Sequence, residues 1–277
     1  MHIIFGHVLP WQVPIMKILK YFNLNVFYLH IDSKTEIKKN KIAIKLKKNN
    51  IYPLPRSDYL LFYKSREVPE EILEAKKNGK KILIILGYQA PINWFESHSS
   101  VAANWSSQIS FMEDIIKLSE YLKDTFIVVR YKSINWINNS HFKKILKKIN
   151  DSKNITISTN YKESFYSYKL CANADLVIAK HTSLVDECLV NEIPVLVYEY
   201  GHNLTKIMSG VFNYLSSELM CHNFQELLEK SKSLLHNNSS ELKKEIIELN
   251  KKIYFVKEKG NVKKKLINNL ENLINNI

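Results

Sequence analysis

The sequence predicts an α/β fold in which parallel sheets are covered by helices. Three observations predict it. Runs such as Lys81–Leu86, Leu176–Ala179 and Val195–Tyr198 are almost wholly apolar, as in strands buried on both faces. Segments between such runs, residues 109–122 for example, carry apolar residues near helical spacing. The two patterns alternate along most of the chain, and a helix between two strands returns the second strand parallel to the first.

In order, residues 2–5 read as a strand, 11–22 as a helix and 26–30 as a second strand, the opening of a Rossmann-like unit. Residues 42–46 read as a further strand. Residues 69–78 predict a helix, opened by Pro69 and Glu70 and closed by Asn78 and Gly79. The strand at 81–86 then begins a second domain. Helix 109–122, strand 126–130, helix 141–149, strand 155–158, helix 161–172, strand 176–179, helix 184–190 and strand 195–198 follow. The tail predicts helices at 224–235, at 240–254 and from 262, with a turn at 237–240. The expected division is residues 1–79, 80–223 and a helical 224–277.

The composition of this 277-residue chain, 45% hydrophobic, supports a packed core. No apolar run is long enough to span a bilayer. The start lacks the basic residues of a secretory signal, and Pro10, Trp11 and Gln12 interrupt its apolar stretch. Cys171, Cys188 and Cys221 have no metal-ligand spacing and cannot all pair, which points to a reducing cytoplasm. The histidines form no metal motif, so no metal is expected. The net charge of +13 reflects a sequence rich in Lys, Asn and Ile. Clusters such as Lys38, Lys39 and Lys41, or Lys263 to Lys265, suit an anionic membrane face. No nucleic-acid signature accompanies them.

The stretch from Ala174 to Tyr198 is the most informative: strand, polar turn, helix, Pro194, strand. Its turn lies at the carboxyl end of a strand and the amino end of a helix, where open parallel sheets bind anions. Thr182 and Ser183 offer hydroxyls there, and Lys180 and His181 add positive or titratable charge. The same hydroxyls also suit an ordinary helix cap. Upstream, Arg130 and Lys132 end the strand at 126–130, a place that suits a pyrophosphate or an acidic sugar. Gly87 follows the first strand of the second domain, where a glycine admits a ligand close to the backbone. The loop at 93–107 is polar and aromatic, with Trp94, Glu96, His98 and Trp105. Glu96 and His98 are candidate bases for an acceptor hydroxyl.

These residues resemble the nucleotide-binding segment of GT-B glycosyltransferases, and also the CDP-glycerol polymerases of teichoic acid synthesis. The shared pattern is Ala174-Asp175, Thr182-Ser183, Glu187 and Cys188, then Pro194-Val195-Leu196. The resemblance spans residues 80–230 and includes 208–214, which look like the closing part of such a domain. It implies Thr182 and Ser183 at the donor phosphate, with His181 beside them, and Glu187 at the ribose hydroxyls. It also implies His7 at the interdomain cleft as a third candidate base. The polymerases usually carry an acidic residue where this chain has Lys180-His181, and Tyr131 stands where Pro is usual in surface-polysaccharide transferases.

The implied architecture is two Rossmann-like domains, the N-terminal one reduced, with a helical tail. The implied activity is metal-independent transfer from a nucleotide sugar to a surface polysaccharide or lipopolysaccharide, a glycan or lipid-linked acceptor. No cofactor beyond the donor is expected. The implied location is the cytoplasm, peripheral on the inner membrane face. Transfer of an alcohol phosphate from a CDP-alcohol, or a non-catalytic nucleotide-binding half, stays open at this point.

Overall fold

A computed structural model describes residues 2–5, 25–28, 67–87, 105–163, 165–180, 182, 184–198 and 218–236, with single helical positions at 244, 248, 264, 267, 268 and 271. The expected helix at 11–22 and strand at 42–46, the segment 208–214 and the turn at 237–240 lie outside the described residues.

At the N-terminal end, β1 (His2–Phe5) pairs in parallel with β2 (Asn25–Tyr28), Ile3 opposite Val26. The parallel pairing of these two strands is the one that the pattern predicts for the start of the chain. Six further strands form a second sheet: β3 (Lys81–Leu86), β4 (Thr125–Arg130), β5 (Ile155–Ile157), β6 (Leu176–Ala179), β7 (Val195–Tyr198) and β8 (Met220–Cys221). Their spatial order is β5-β4-β3-β6-β7-β8, and every pairing is parallel. This is the doubly wound order, in which the first strand lies at the centre and the chain builds outward twice.

Six helices accompany this sheet among the described residues: α1 (Glu70–Lys77), α2 (Trp105–Tyr121), α3 (Lys143–Asn150), α4 (Tyr166–Ala172), α5 (Leu184–Val190) and α6 (Phe224–Leu235). The central strands are apolar because both their faces are covered. Ile82 to Ile85, Val177 and Ile178 are fully buried. Ile72 and Ala75 of α1 join this core, as do Leu227, Leu228, Leu234 and Leu235 of α6. Thus α1, which precedes residue 79, packs with the second sheet.

Three elements differ from expectation. Helix α2 begins at Trp105, so residues 105–107 are helix rather than loop. The fully buried Gln108 accepts a hydrogen bond from the Tyr131 hydroxyl at 3.1 Å, which ties this first turn to the sheet. The expected helix at 141–149 is preceded by two tight turns, Asn135–Asn138 and Ser140–Phe142. They bury Trp136 against Phe142 at 5.3 Å and against Tyr131 at 4.8 Å. Helix α4 starts at Tyr166 rather than 161 because tertiary bonds to Asn160 and Tyr161, described below, hold the chain out of helical geometry.

Helix α5 closes with paired bonds, Glu192 N–H to the Leu189 carbonyl and Ile193 N–H to that of Cys188, both 3.0 Å. This motif wants a left-handed residue after the helix, and Glu192 takes that role at φ 58°. Glu192→Gly is therefore expected to stabilise the fold by about 0.5 kcal/mol, since glycine adopts this conformation without the steric cost. Thermal melting checks it, and a lower Tm would mean that the side chain contributes more than the backbone strain costs.

Candidate functional site

The outward building of the sheet reverses between β3 and β6. In an open parallel sheet the crevice outside the carboxyl ends at such a reversal receives the ligand. The residues leaving these two strands are Gly87 and Lys180. Main-chain bonds lace the strand ends together: Gly87 N–H donates to the Arg130 carbonyl at 3.0 Å, and Lys180 N–H to the Leu86 carbonyl at 3.2 Å. Gly87, Arg130 and Lys180 thus come from three neighbouring strands onto one edge.

On the β6 side, Thr182 is half-buried, and its hydroxyl oxygen accepts the Leu184 N–H at 3.3 Å. This local turn satisfies the first N–H of α5 from one residue outside the cap position. Glu187 lies on the first turn of α5 and is only 1% exposed, so its carboxylate meets solvent scarcely at all. Its carbonyl accepts a hydrogen bond from Asn191 Nδ2 at 2.8 Å. Lys180 is 8% exposed, and burial pulls its ammonium from the usual lysine range to about 7. His181 and Ser183 lie outside the described residues, as do the candidate bases His7, Glu96 and His98.

On the β4 side, Arg130 is 6% exposed. Its Nε donates to Ser167 Oγ at 3.2 Å, and Nη1 donates to Ser158 Oγ at 3.3 Å and to the Asn160 carbonyl at 2.8 Å. The guanidinium also stacks over the Tyr161 ring at 3.8 Å, while the Tyr161 hydroxyl donates to the Tyr131 carbonyl at 2.7 Å. Arg130 therefore ties β4 to the loop after β5 and to α4. Lys132, two residues on, is exposed. The network includes Glu71 of α1, which sequence reasoning passes over because it reads as a first-turn helix acid. Burial pushes the Glu71 carboxyl up, against hydrogen bonds from Ser158 and Tyr166 and the charge of Arg130. Burial first, then Glu71, pushes the Tyr166 phenol up.

Gly87 has a packing reason for its identity. A Cβ built there would lie 2.5–2.7 Å from three carbons of the Tyr131 ring. The ring covers the strand end, so the missing side chain makes room for Tyr131. Asp175 of the Ala-Asp pair lies at the opposite, amino end of β6. Its carboxylate accepts the Ile82 N–H at 2.8 Å and lies 3.6 Å from the Lys81 ammonium. Its own N–H donates to the Ile82 carbonyl at 2.8 Å. This part of the motif sets the pairing of β3 with β6.

Among the described residues no His, Cys, Asp and Glu side chains gather as a metal-binding group, and no helix is long and apolar enough to cross a membrane. Comparison with known proteins finds no matching family model and no matching curated protein. Solved structures do match. A putative UDP-N-acetylglucosamine 2-epimerase from Listeria monocytogenes superposes with a TM-score of 0.60 at 13% identity, covering 100% of this chain and 75% of that one. The wall teichoic acid polymerase TagF gives a TM-score of 0.56 at 13% identity, covering 90% of this chain and 58% of that one. A co-structure of S. aureus MnaA with UDP gives 0.56 at 11% identity, covering 100% and 75%. The structural neighbours are GT-B enzymes, and the chain shares their fold.

Proposed function

We infer, from a GT-B fold whose strand order reverses beside Gly87, Lys180 and Thr182, that the chain binds a nucleotide-activated sugar and transfers the sugar to a polysaccharide or lipid-linked acceptor. The observation that carries the reading is the reversal itself. It gathers a buried amine and the Thr182 hydroxyl at the edge where parallel sheets bind phosphates. The solved neighbours include one with UDP bound, which supports a nucleotide ligand. In this reading the nucleotide lies against β3, β6 and α5, with Thr182, Ser183 and His181 at the phosphates and Glu187 at the ribose. Lys132 extends the positive edge, while Arg130 holds the scaffold beneath it. Charge grows on the leaving phosphate as the glycosidic bond breaks, and preorganised donors stabilise it. His7, Glu96 or His98 takes the acceptor proton. A division of the chain ahead of α1, the absence of a metal or further cofactor, and a peripheral place on an anionic membrane belong to the same proposal.

Transfer of an alcohol phosphate is the second reading, favoured by the structural likeness to TagF. Product analysis separates the two, because one gives a glycoside and the other a phosphodiester.

The first test is thermal melting with UDP, GDP, CDP and CMP. At ten times Kd a bound nucleotide stabilises the fold by about 1.4 kcal/mol, a rise of roughly 3–6 °C. If none of the four raises Tm at millimolar concentration, the reading that the chain binds a nucleotide fails.

A further inference from the structure

We propose that the lysine face of α3 docks the protein on an anionic lipid bilayer. The inference rests on the lipid-linked acceptor proposed above and names the surface that meets the membrane.

Helix α3 is built as two faces. Ile145 and Ile149 are buried in the core and Leu146 packs against it, while Lys143, Lys144, Lys147 and Lys148 are all exposed. Four ammonium groups thus leave about two turns of helix, and the helix itself holds no acid. Among the described residues no carboxylate pairs with these four lysines. The surroundings in the chain are basic too. From Tyr131 to Asn160 there are six lysines and one acid, Asp151. Lys132 and Lys153, on either side of the helix in the chain, are exposed as well.

Local stability does not account for this pattern. The start of a helix favours acids, and α1, α5 and α6 carry Glu70 and Glu71, Asp186 and Glu187, and Glu226 in their first turns. Helix α3 opens on Lys143 and Lys144 instead. Lys147 lies one turn from Lys143, and Lys148 one turn from Lys144, and like charges at that spacing repel. A charge pattern that works against its own helix, with no acid to offset it, suits a surface that meets an anion.

Position and chemistry favour a bilayer. A helix between two parallel strands runs back across the sheet, so α3 begins at the edge where β4 ends. It packs on α2 and on β5, the outermost strand. Docking by this flank brings the bilayer alongside the edge that a lipid-linked acceptor must reach. The apolar residues of α3 are taken up by the core, so the contact is electrostatic and without insertion. The exposed positions of α3 are lysines and Asn150, with no aromatic ring on which a nucleic-acid base could stack.

Co-sedimentation of the full chain with lipid vesicles, without nucleotide, tests the proposal. The wild type is expected to bind vesicles containing phosphatidylglycerol, to ignore vesicles of phosphatidylcholine alone, and to be released as salt rises. With Lys143→Gln, Lys144→Gln, Lys147→Gln and Lys148→Gln together, affinity for the anionic vesicles should fall by at least about a hundred-fold, since each lysine near such a surface contributes about five-fold. Lys143→Gln with Lys144→Gln alone should lower it by about ten- to thirty-fold. Both variants should melt no lower than the wild type, because each removes like-charge repulsion. Changing Lys263, Lys264 and Lys265 to Gln removes comparable charge elsewhere and should leave the affinity within about five-fold. A loss in this control equal to that of the α3 variants would overturn the proposal, since binding would then follow net charge alone. So would a wild type that ignores phosphatidylglycerol vesicles, or one that binds duplex DNA more tightly than the vesicles through the same four lysines. Nucleotide melting reads the donor site independently. A chain that binds nucleotide but no vesicle sinks this inference alone, whereas a chain that no nucleotide stabilises sinks the transferase reading whatever the vesicles show.

Discussion

Arg130→Ala is expected to cost about 3 kcal/mol of stability, the largest loss from any single change at this edge of the sheet. The side chain is buried, and three of its contacts are hydrogen bonds from a charged group. Such bonds contribute roughly 1.5–3 kcal/mol each in isolation, and a buried acceptor left unsatisfied costs about 1–3 kcal/mol. Alanine leaves the Asn160 carbonyl without its 2.8 Å donor and removes the cation from the Tyr161 ring. It also removes the Arg130 charge that favours the ionised form of the Glu71 carboxyl. The losses overlap because the groups share one network, so they do not sum. Chemical denaturation measures the change, and Tm should fall by roughly 6–12 °C. Arg130→Lys keeps the charge without the planar fork and should lie between the two. A phosphate role predicts the opposite division: stability held and nucleotide affinity lost. An unchanged Tm with weakened nucleotide binding would place the guanidinium at the ligand and not in the scaffold.

Gly87→Ala should cost about 2–3 kcal/mol, at the upper end for overpacking. The new methyl would come within 2.5 Å of Tyr131 Cζ, closer than side-chain carbons pack. The ring cannot move aside cheaply. It is buried, stacks on Trp136 at 4.8 Å, and its hydroxyl donates to Gln108. The backbone would have to yield instead, at the end of the central strand. Urea unfolding of Gly87→Ala, Tyr131→Leu and the double variant forms a cycle. The double variant should be more stable than the sum of the single losses implies, by at least about 1 kcal/mol. Strict additivity would mean that the two residues do not compete for the same space.

The strands were the most legible part of the fold. Residues 81–86, 176–179 and 195–198 match their expected limits because strands covered on both faces admit few polar residues. Helix α6 also matches its expected limits, and its start is held by Asn223 Oδ1, which accepts the Glu226 N–H at 2.9 Å, and by Glu226, which accepts the His222 N–H at 3.0 Å. Local pattern failed where distant groups decide. Nothing near residue 161 shows that Arg130, far back in the chain, holds Asn160 and Tyr161 out of a helix. Strand β8 is two residues long and leaves too little pattern to read.

The site divides in the same way. The Thr182 hydroxyl at the start of α5 follows from a local rule. Gly87 was legible as a position but not in its reason, because Tyr131 meets it from the neighbouring strand. Glu71 carries no signal at all, since its partners come from elements that follow it in the chain.

The bond from Ile82 N–H to Asp175 has a consequence for how the chain reaches this structure. It joins residues 93 positions apart, so the centre of the sheet is also its longest-range closure. Until residue 175 has left the ribosome, one edge of β3, with five buried residues in sequence, has no partner. Such an edge invites pairing with another chain. Entropy makes a closure of this length slow, and a slip of one residue would turn every side chain of β6 to the wrong face. A carboxylate at the first turn into β6, matched to one amide and flanked by Lys81, gives the late-arriving strand a single polar register mark among apolar neighbours. Asp175 thus belongs to the assembly of the edge that carries Gly87 and Lys180, although it lies at the far end of the sheet from it.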